Sequence, residues 1–336
     1  MSFVHLIQKK DIFMGKKILL IGAGGIGFRH FQALFNCEKE IEVYVVDVND
    51  DALKKAQEYE LSLNCNMKVF YSKDFSNVPE YIDVAIIATS SRPRRDVFDS
   101  LVRNHTVFKI IFEKFLFPRK EDYKHVAEII SNKRIEAYVD CVARMYDFFN
   151  QIKAQISGCK YFVASIKGSN WGLACNAIHM LHLIAYLSES DTKKIACSGQ
   201  LENKVYKSKR TGYIEFFGRI VGDFGNRVSF SIECNHAEDP FTYEFFTDKF
   251  YYYINENEQR YSRIAMGKTN EVDTKEARFP YVSQITNLNV DRLLRGERAL
   301  LPTYDESKPL HEALLNVFHE CYEMVECKKM DLCPIT

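Results

Sequence analysis

The chain has 336 residues, 46% of them apolar and 27% charged, and its 45 Lys and Arg are balanced by 45 Asp and Glu. That length accommodates two domains with proper cores, and a formal charge of zero gives a nucleic acid or an anionic membrane surface nothing to hold in bulk. Ten cysteines form no C-x-x-C pair or metal-ligand spacing, so they read as free thiols of a reducing cytoplasm, and no run approaches the roughly 18 apolar residues of a membrane span.

Residues 1–15, with Lys9, Lys10 and Asp11 in their middle, read as an extension before the first element and not as a leader. Residues 18–21 are all apolar, the mark of a strand buried on both faces of a parallel sheet. Gly22, Gly24 and Gly27 then spell G-x-G-x-x-G, with Gly25 beside them at the phosphates and a helix from about Ile26 to Phe35 following. The first glycine permits a sharp turn, the second lets a pyrophosphate approach bare backbone, and the third lets helix and strand pack closely. The helix start aims free N–H groups and the positive dipole end at the phosphates.

A second strand over 41–46 ends in Asp47, 20 residues beyond Gly27. A carboxylate at that spacing accepts hydrogen bonds from the adenosine ribose and repels a 2′-phosphate, and Val48 and Asn49 offer no cation to bind one. The expected cofactor is therefore NAD in preference to NADP.

The pattern continues with a helix over 51–61, a strand over 67–71 and an apolar strand over 83–88 that ends in Thr89-Ser90-Ser91. Pro93 suits the first turn of a helix through residue 104. A strand over 108–112 ends in Glu113-Lys114, a helix over 120–132 follows, and a sixth strand covers 136–142. This alternation implies a doubly wound parallel sheet with ligands beyond the carboxyl ends of its strands. After Arg144 come a helix over 145–156 and strands over 161–166, 213–220, 227–233, 241–246 and 249–254. Helices over 176–187 and 308–327 interrupt and close them. The expected division is a dinucleotide-binding domain over 1–143 and an α+β domain over 144–336 for substrate and oligomerisation, its last helix free to pack back on the first. The second domain is expected to carry a large, mostly antiparallel sheet with one face covered and one open. Tyr251 to Tyr253 belong to a strand of that sheet, and an open face rich in aromatics suits a homodimer or homotetramer formed through it.

This ordered set resembles the Gfo/Idh/MocA family of oxidoreductases, named for glucose-fructose oxidoreductase, inositol dehydrogenase and a rhizopine-catabolism protein. The likeness spans nearly the whole chain. It rests on Gly22 to Gly27 with Arg29-His30, on Ala88-Thr89-Ser90, on Glu113-Lys114, on Arg144, on His179 and on Leu301-Pro302-Thr303-Tyr304. The resemblance implies an N-terminal Rossmann sheet and hydride transfer between a nicotinamide and a hydroxyl or keto carbon of a sugar, cyclitol or nucleotide-sugar. It also implies a catalytic pair, Lys114 and His179, with Thr89, Ser90, Glu113 and Lys114 beside the cofactor and Arg144 reaching the substrate. Three departures stand out. The proline after the signature lysine is Phe115, the usual aspartate four residues before the histidine is Cys175, and the acidic residue three after it is His182.

A lysine at a strand end can stabilise a developing alkoxide, and an imidazole can carry the proton. Trp171, the single tryptophan, with Asn170, Cys175 and Asn176 beside it, is expected at the substrate. Arg92, Arg94 and Arg95 read as a solvated helix start or as cations for the phosphate of a nucleotide-sugar in surface-polysaccharide synthesis. The H-x-x-H of His179 and His182 lacks a completing ligand, so no metal is expected. Two alternatives remain open on the missing carboxylates: a non-catalytic NAD-binding sensor or co-regulator, and an enzyme that recycles tightly held NAD, as epimerases and dehydratases do.

Overall fold

The computed structural model describes residues 15–336 except 64, 226, 269 and 270. The extension expected over 1–15 thus lies, but for Gly15, outside the described residues.

The first half alternates β1 (Lys16–Ile21), α1 (Gly25–Leu34), β2 (Ile41–Val46), α2 (Asp50–Ser62), β3 (Lys68–Ser72), β4 (Tyr81–Ile87), α3 (Ser91–Asn104), β5 (Thr106–Phe112), α4 (Lys120–Lys133) and β6 (Glu136–Val139). The six strands form one parallel sheet in the order β3-β2-β1-β4-β5-β6. The order reverses between β1 and β4, and a crevice for a ligand opens at that switch point. Ile18, Leu19, Leu20, Val84, Ala85, Ile86 and Ile87 are wholly buried there, as strands covered on both faces must be.

The glycine turn is built as the spacing requires. Gly22 sits at a φ of 92°, and a Cβ on Gly27 would fall 1.8 Å from the Gly22 carbonyl oxygen. A Cβ on Gly24 or Gly25 would meet no atom within 4 Å, so the space in front of the helix start is left for a ligand. Gly27→Ala is expected to destabilise the protein by at least about 2 kcal/mol, because backbone must move to admit the methyl group. Gly24→Ala is expected to leave the melting temperature near wild type while weakening dinucleotide binding. Melting curves and NADH titrations of the two variants check this contrast.

Past a 3-10 turn at Val142–Met145 come α5 (Asp147–Ile156), β7 (Phe162–Ser169), α6 (Leu173–Ser188), β8 (Ala196–Leu201), β9 (Tyr206–Lys207), β10 (Ile214–Glu215), β11 (Gly218–Asp223) and β12 (Val228–Asn235). They are followed by β13 (Thr242–Thr247), β14 (Phe250–Asn255), β15 (Arg260–Ala265), β16 (Val272–Glu276), α7 (Thr286–Leu294) and α8 (Tyr304–Glu326). Eight of these strands form a sheet in the order β16-β15-β14-β13-β7-β12-β11-β8, antiparallel except where β7 meets β12. Burial alternates strictly along β7 and β12, so one face packs on the helices and the other is open. Among the described residues no helix is long and apolar enough to cross a membrane.

Several boundaries differ from the sequence reading. The strand expected over 136–142 stops at Val139, where the chain turns into the 3-10 segment. The strand expected over 213–220 is two, β10 and β11, broken at the buried Phe216. Strands β8, β9, β15 and β16 lack the apolar alternation that would have marked them, β8 and β16 being polar edges of the sheet, and the short helix α7 was also not expected. Helix α8 starts four residues before 308, because Thr303 and Glu306 form a capping box and Pro309 is carried inside the helix. It also packs against α4, with the Tyr304 hydroxyl donating to the Tyr123 carbonyl at 2.9 Å.

Candidate active site

The crevice at the β1/β4 switch point has a volume of about 680 Å³ and is lined by Gly22, Gly24, Gly25, Ile26, Asp47, Thr89 and Ser90, among others. Asp47 does more than the spacing suggested. Its Oδ2 accepts from the Ala23 N–H at 2.6 Å and its Oδ1 from the Asn49 N–H at 2.8 Å, so the carboxylate holds the glycine turn and keeps further lone pairs for a ribose. The Thr89 hydroxyl is buried at the cleft without a hydrogen-bond partner among the described residues. An open helix start, an acidic strand end and an unpaired hydroxyl fit a dinucleotide. Lys73 and Arg210 line the same cleft and were not anticipated. Lys73 pairs with Asp50 at 2.8 Å, and Arg210 is carried in from the turn between β9 and β10, which no local pattern connects with the glycine turn.

Glu113 does not reach this cleft. It is buried behind it, where its Oε1 meets His30 Nε2 at 2.9 Å and Asp140 stands 3.9 Å from the same nitrogen. Burial pushes the Asp140 carboxyl well up, and the Glu113 charge beside it adds to the effect. Burial also opposes ionisation of Glu113, but its hydrogen bond and charge interaction with His30 win and hold it down. Among the described residues this is the cluster whose His and carboxylate atoms could gather on a metal ion. Its short internal contact and the Thr286 hydroxyl 2.8 Å from His30 Nδ1 already make it a proton-sharing network under the next residue.

That residue is Lys114, just past the carboxyl end of β5 and joined to Phe115 by a cis peptide. Its Nζ donates to the Asn176 Oδ1 at 3.2 Å and to the Cys175 carbonyl at 3.3 Å, and lies 3.3 Å from the Cys175 sulfur. Burial would lower the pKa of this ammonium, but Cys175 and Glu113 outweigh burial and raise it. Cys175, expected at the substrate, anchors the lysine and is not among the residues that line the neighbouring cavity. Asn176 is fixed from its other end, with its Nδ2 donating to the Trp171 carbonyl at 2.7 Å.

One turn along α6, His179 faces a cavity of about 560 Å³ together with Asn176. Burial and then the Lys114 charge push its imidazole down to about 3. Trp171, Tyr146, Phe241, Tyr243 and Phe279 form aromatic walls, and Glu256, Asn257 and Gln259 bring polar groups. The Trp171 Nε1 is spent on the Glu233 carbonyl at 2.9 Å, so the indole offers the cavity its apolar face. Trp171, Asn176 and His179 of this wall were anticipated; the others named come from the segment before α5, from β13 and the residue before it, from the turn after β14 and from the segment after β16.

Arg144 is not with them. Its guanidinium lies over the Tyr186 ring at 5.0 Å and pairs with Glu306 at 3.5 Å, in a separate cavity that it shares with His182. The two histidines of H-x-x-H therefore face different cavities, since three residues turn a helix through 300° rather than a full circle. The arginine cluster is also engaged elsewhere. Arg94 is 1% exposed and donates to the carbonyls of Thr89, Phe115 and Leu116, tying the cofactor loop to the segment after Lys114. Arg95 pairs with Asp96, Asp99 and Asp122, and Arg92 lies over Tyr213.

A carboxylate reaches this site from a distant part of the chain. Glu215, at the end of β10, accepts from the backbone N–H groups of Ala174 at 2.9 Å and Cys175 at 3.2 Å, closing the start of α6 directly beneath the lysine's anchor. Burial pushes its carboxyl up to about 7.

The family described as "Oxidoreductase family, NAD-binding Rossmann fold" (GFO_IDH_MocA) matches residues 16–140. No curated protein sequence matches the chain. Among solved structures, UDP-N-acetylglucosamine 3-dehydrogenase GnnA from Acidithiobacillus ferrooxidans is similar over 90% of this chain and 97% of its own, at 12% identity and a TM-score of 0.63. An oxidoreductase from Agrobacterium radiobacter, solved with NAD+, L-tartaric acid and magnesium, is similar over 92% and 97%, at 14% identity and a TM-score of 0.68. A super-repressor mutant of Gal80p from Saccharomyces cerevisiae is similar over 94% and 96%, at 12% identity and a TM-score of 0.71. These likenesses are of fold, a six-stranded parallel sheet joined to an eight-stranded, mostly antiparallel one. The match identifies residues 16–140 as an NAD-binding Rossmann domain of the kind found in the Gfo/Idh/MocA oxidoreductases.

Proposed function

We propose that the protein uses NAD to oxidise a CH–OH group of a sugar or cyclitol, or to reduce the corresponding ketone. The observation that carries this reading is the bond from Asn176, on the wall of the aromatic cavity, to Lys114, at the carboxyl end of β5. The lysine thereby joins the substrate cavity to the strand ends where a nicotinamide belongs. When bound, NAD supplies the hydride-accepting ring; it would be held by Gly22, Gly24, Gly25, Ile26, Asp47, Thr89 and Ser90.

Three N–H bonds radiate from the Lys114 ammonium. Two are met by oxygens, and the third faces a thiol sulfur, a weak acceptor that a substrate oxygen displaces at small cost. The ammonium then stabilises the developing alkoxide, while the neutral His179 imidazole accepts the hydroxyl proton. Asn176 orients both the lysine and the substrate. The nucleotide-sugar subclass loses its support, because Arg94 and Arg95 are spent on the protein itself. The sensor reading draws on the departures at Cys175 and His182 and on a fold shared with Gal80p, and the retained Lys114 and His179 argue against it.

A screen of NADH formation at 340 nm against sugars and cyclitols tests the reading. Substrate-dependent NADH supports it, and bound NAD with product but no net NADH points to internal recycling. Asp47 is the basis for preferring NAD. Asp47→Ser combined with Val48→Arg is expected to move the kcat/KM ratio of NADP to NAD upward by about 10- to 100-fold. An unchanged ratio removes the ribose role from that carboxylate.

The expected assembly is a homodimer or homotetramer paired through the open sheet face. A cross-strand row of Val163, Phe246, Tyr251, Ile264 and Val272 supplies apolar contact there. Ten free thiols favour a cytoplasmic setting. Light scattering of the purified protein gives the subunit number.

A further inference from the structure

We infer that the substrate is a sugar or cyclitol carrying no phosphate, and that Glu256 is the residue that selects against phosphorylated relatives. The inference rests on the oxidoreductase reading above and concerns the same cavity.

Phosphate recognition needs cations or a free helix N-terminus. Among the described residues that line the cavity there is no Lys or Arg, and the one fully charged type present is the carboxylate Glu256. The start of α6, the helix that brings Asn176 and His179 to the wall, is already closed by another carboxylate, Glu215 on the Ala174 and Cys175 N–H groups. Of the nearby cations, Arg144 is paired with Glu306 in another cavity, and Lys114 has two of its N–H bonds on the α6 anchor and the third at the reacting oxygen, which leaves none for a phosphate elsewhere on the ligand. A phosphate or diphosphate entering here would meet aromatic faces and a negative group.

Glu256 itself asks for donors. It follows β14 in a turn whose backbone N–H is bonded to the Phe241 carbonyl at 3.1 Å, which fixes it at the cavity wall. Its Oε2 accepts from the Tyr243 hydroxyl at 2.7 Å, and among the described residues its side chain has no other hydrogen-bond partner and no cation. Burial raises its pKa, as expected of a carboxyl without an opposite charge. A partly buried carboxylate with one donor is stabilised by the hydroxyls or the ammonium of a ligand. The aromatic walls complement the C–H faces of a ring, and they also favour an ammonium over an anion. Glucosamine, glucose and myo-inositol present those groups; glucose 6-phosphate and UDP-N-acetylglucosamine present the excluded one.

The test has a turnover arm and a binding arm, both on the full chain with NAD. Rates of NADH formation are measured on the five compounds, and occupancy is read from the emission of Trp171, the single tryptophan, which stands in the cavity wall. The expected result is at least a tenfold preference for phosphate-free compounds in kcat/KM, or in Kd where nothing turns over. Glu256→Gln is expected to shrink that preference several-fold by removing the repulsion, with Trp171 emission of the free variant unchanged. Binding of a phosphate-free compound without turnover leaves the inference standing and counts against the oxidoreductase reading. A phosphorylated compound bound or turned over best, no phosphate-free compound bound at all, or a preference that Glu256→Gln leaves untouched overturns the inference.

Discussion

Lys114→Met is expected to lower kcat by roughly 10²- to 10³-fold, about 3–4 kcal/mol of transition-state stabilisation, while Kd for NAD stays within a few-fold of wild type. Methionine keeps the length and apolar stem of the side chain but offers no N–H to the substrate oxygen. The loss should fall on kcat because the charge it removes matters most once the hydroxyl has begun to become an alkoxide. Lys114→Arg should recover little. The bonds to Asn176 Oδ1 and the Cys175 carbonyl are made by one nitrogen at 3.2 and 3.3 Å, and a planar guanidinium cannot meet both and the substrate from the same point. Steady-state rates with NADH titrations on the two variants check this. A kcat within threefold of wild type in Lys114→Met moves the chemistry elsewhere.

What the sequence made legible was local. The glycine turn, Asp47, the strand end before Lys114 and the helical position of His179 all follow from spacings within one element or its flanks. What it hid was convergence. Glu215 closes the start of α6 from 40 residues away, and Glu256 reaches Tyr243 only because β13 and β14 pair as a hairpin. Polar strands without alternation, such as β8 and β16, left no pattern for a period of two to find.

Arg94 is a different case, since a signal was present. Ser91, Arg94, Phe98 and Leu101 share the buried ridge of α3 at helical spacing, so the arginine lay on the inward face although its charge suggested solvent. Arg144 was placed by resemblance alone. The 3-10 turn that replaces the end of the expected sixth strand carries it toward Glu306 and away from the His179 cavity.

His179 supplies the second large effect. Burial and the Lys114 charge hold its imidazole down at about 3, so it is neutral, and able to accept a proton, at every pH at which the protein is assayed. The sign matters. An ordinary histidine base would give alcohol oxidation a rising limb near pH 6.5, as the inactive imidazolium loses its proton. With the pKa lowered, that limb moves below pH 5, and kcat for oxidation should show no rise between pH 5.5 and 7 that belongs to His179. His179→Gln fills the same space and cannot take the proton, so kcat should fall by about 10²- to 10³-fold with the flat region unchanged in shape. A carboxyl remains that can titrate in the same window, because Glu215 is pushed up to about 7. A limb near 7 that survives in His179→Gln and disappears in Glu215→Gln belongs to that carboxyl, acting through the anchor of Lys114. A limb near 6.5 that disappears with His179 would show instead that the imidazole is solvated in the working enzyme and titrates as a free one does.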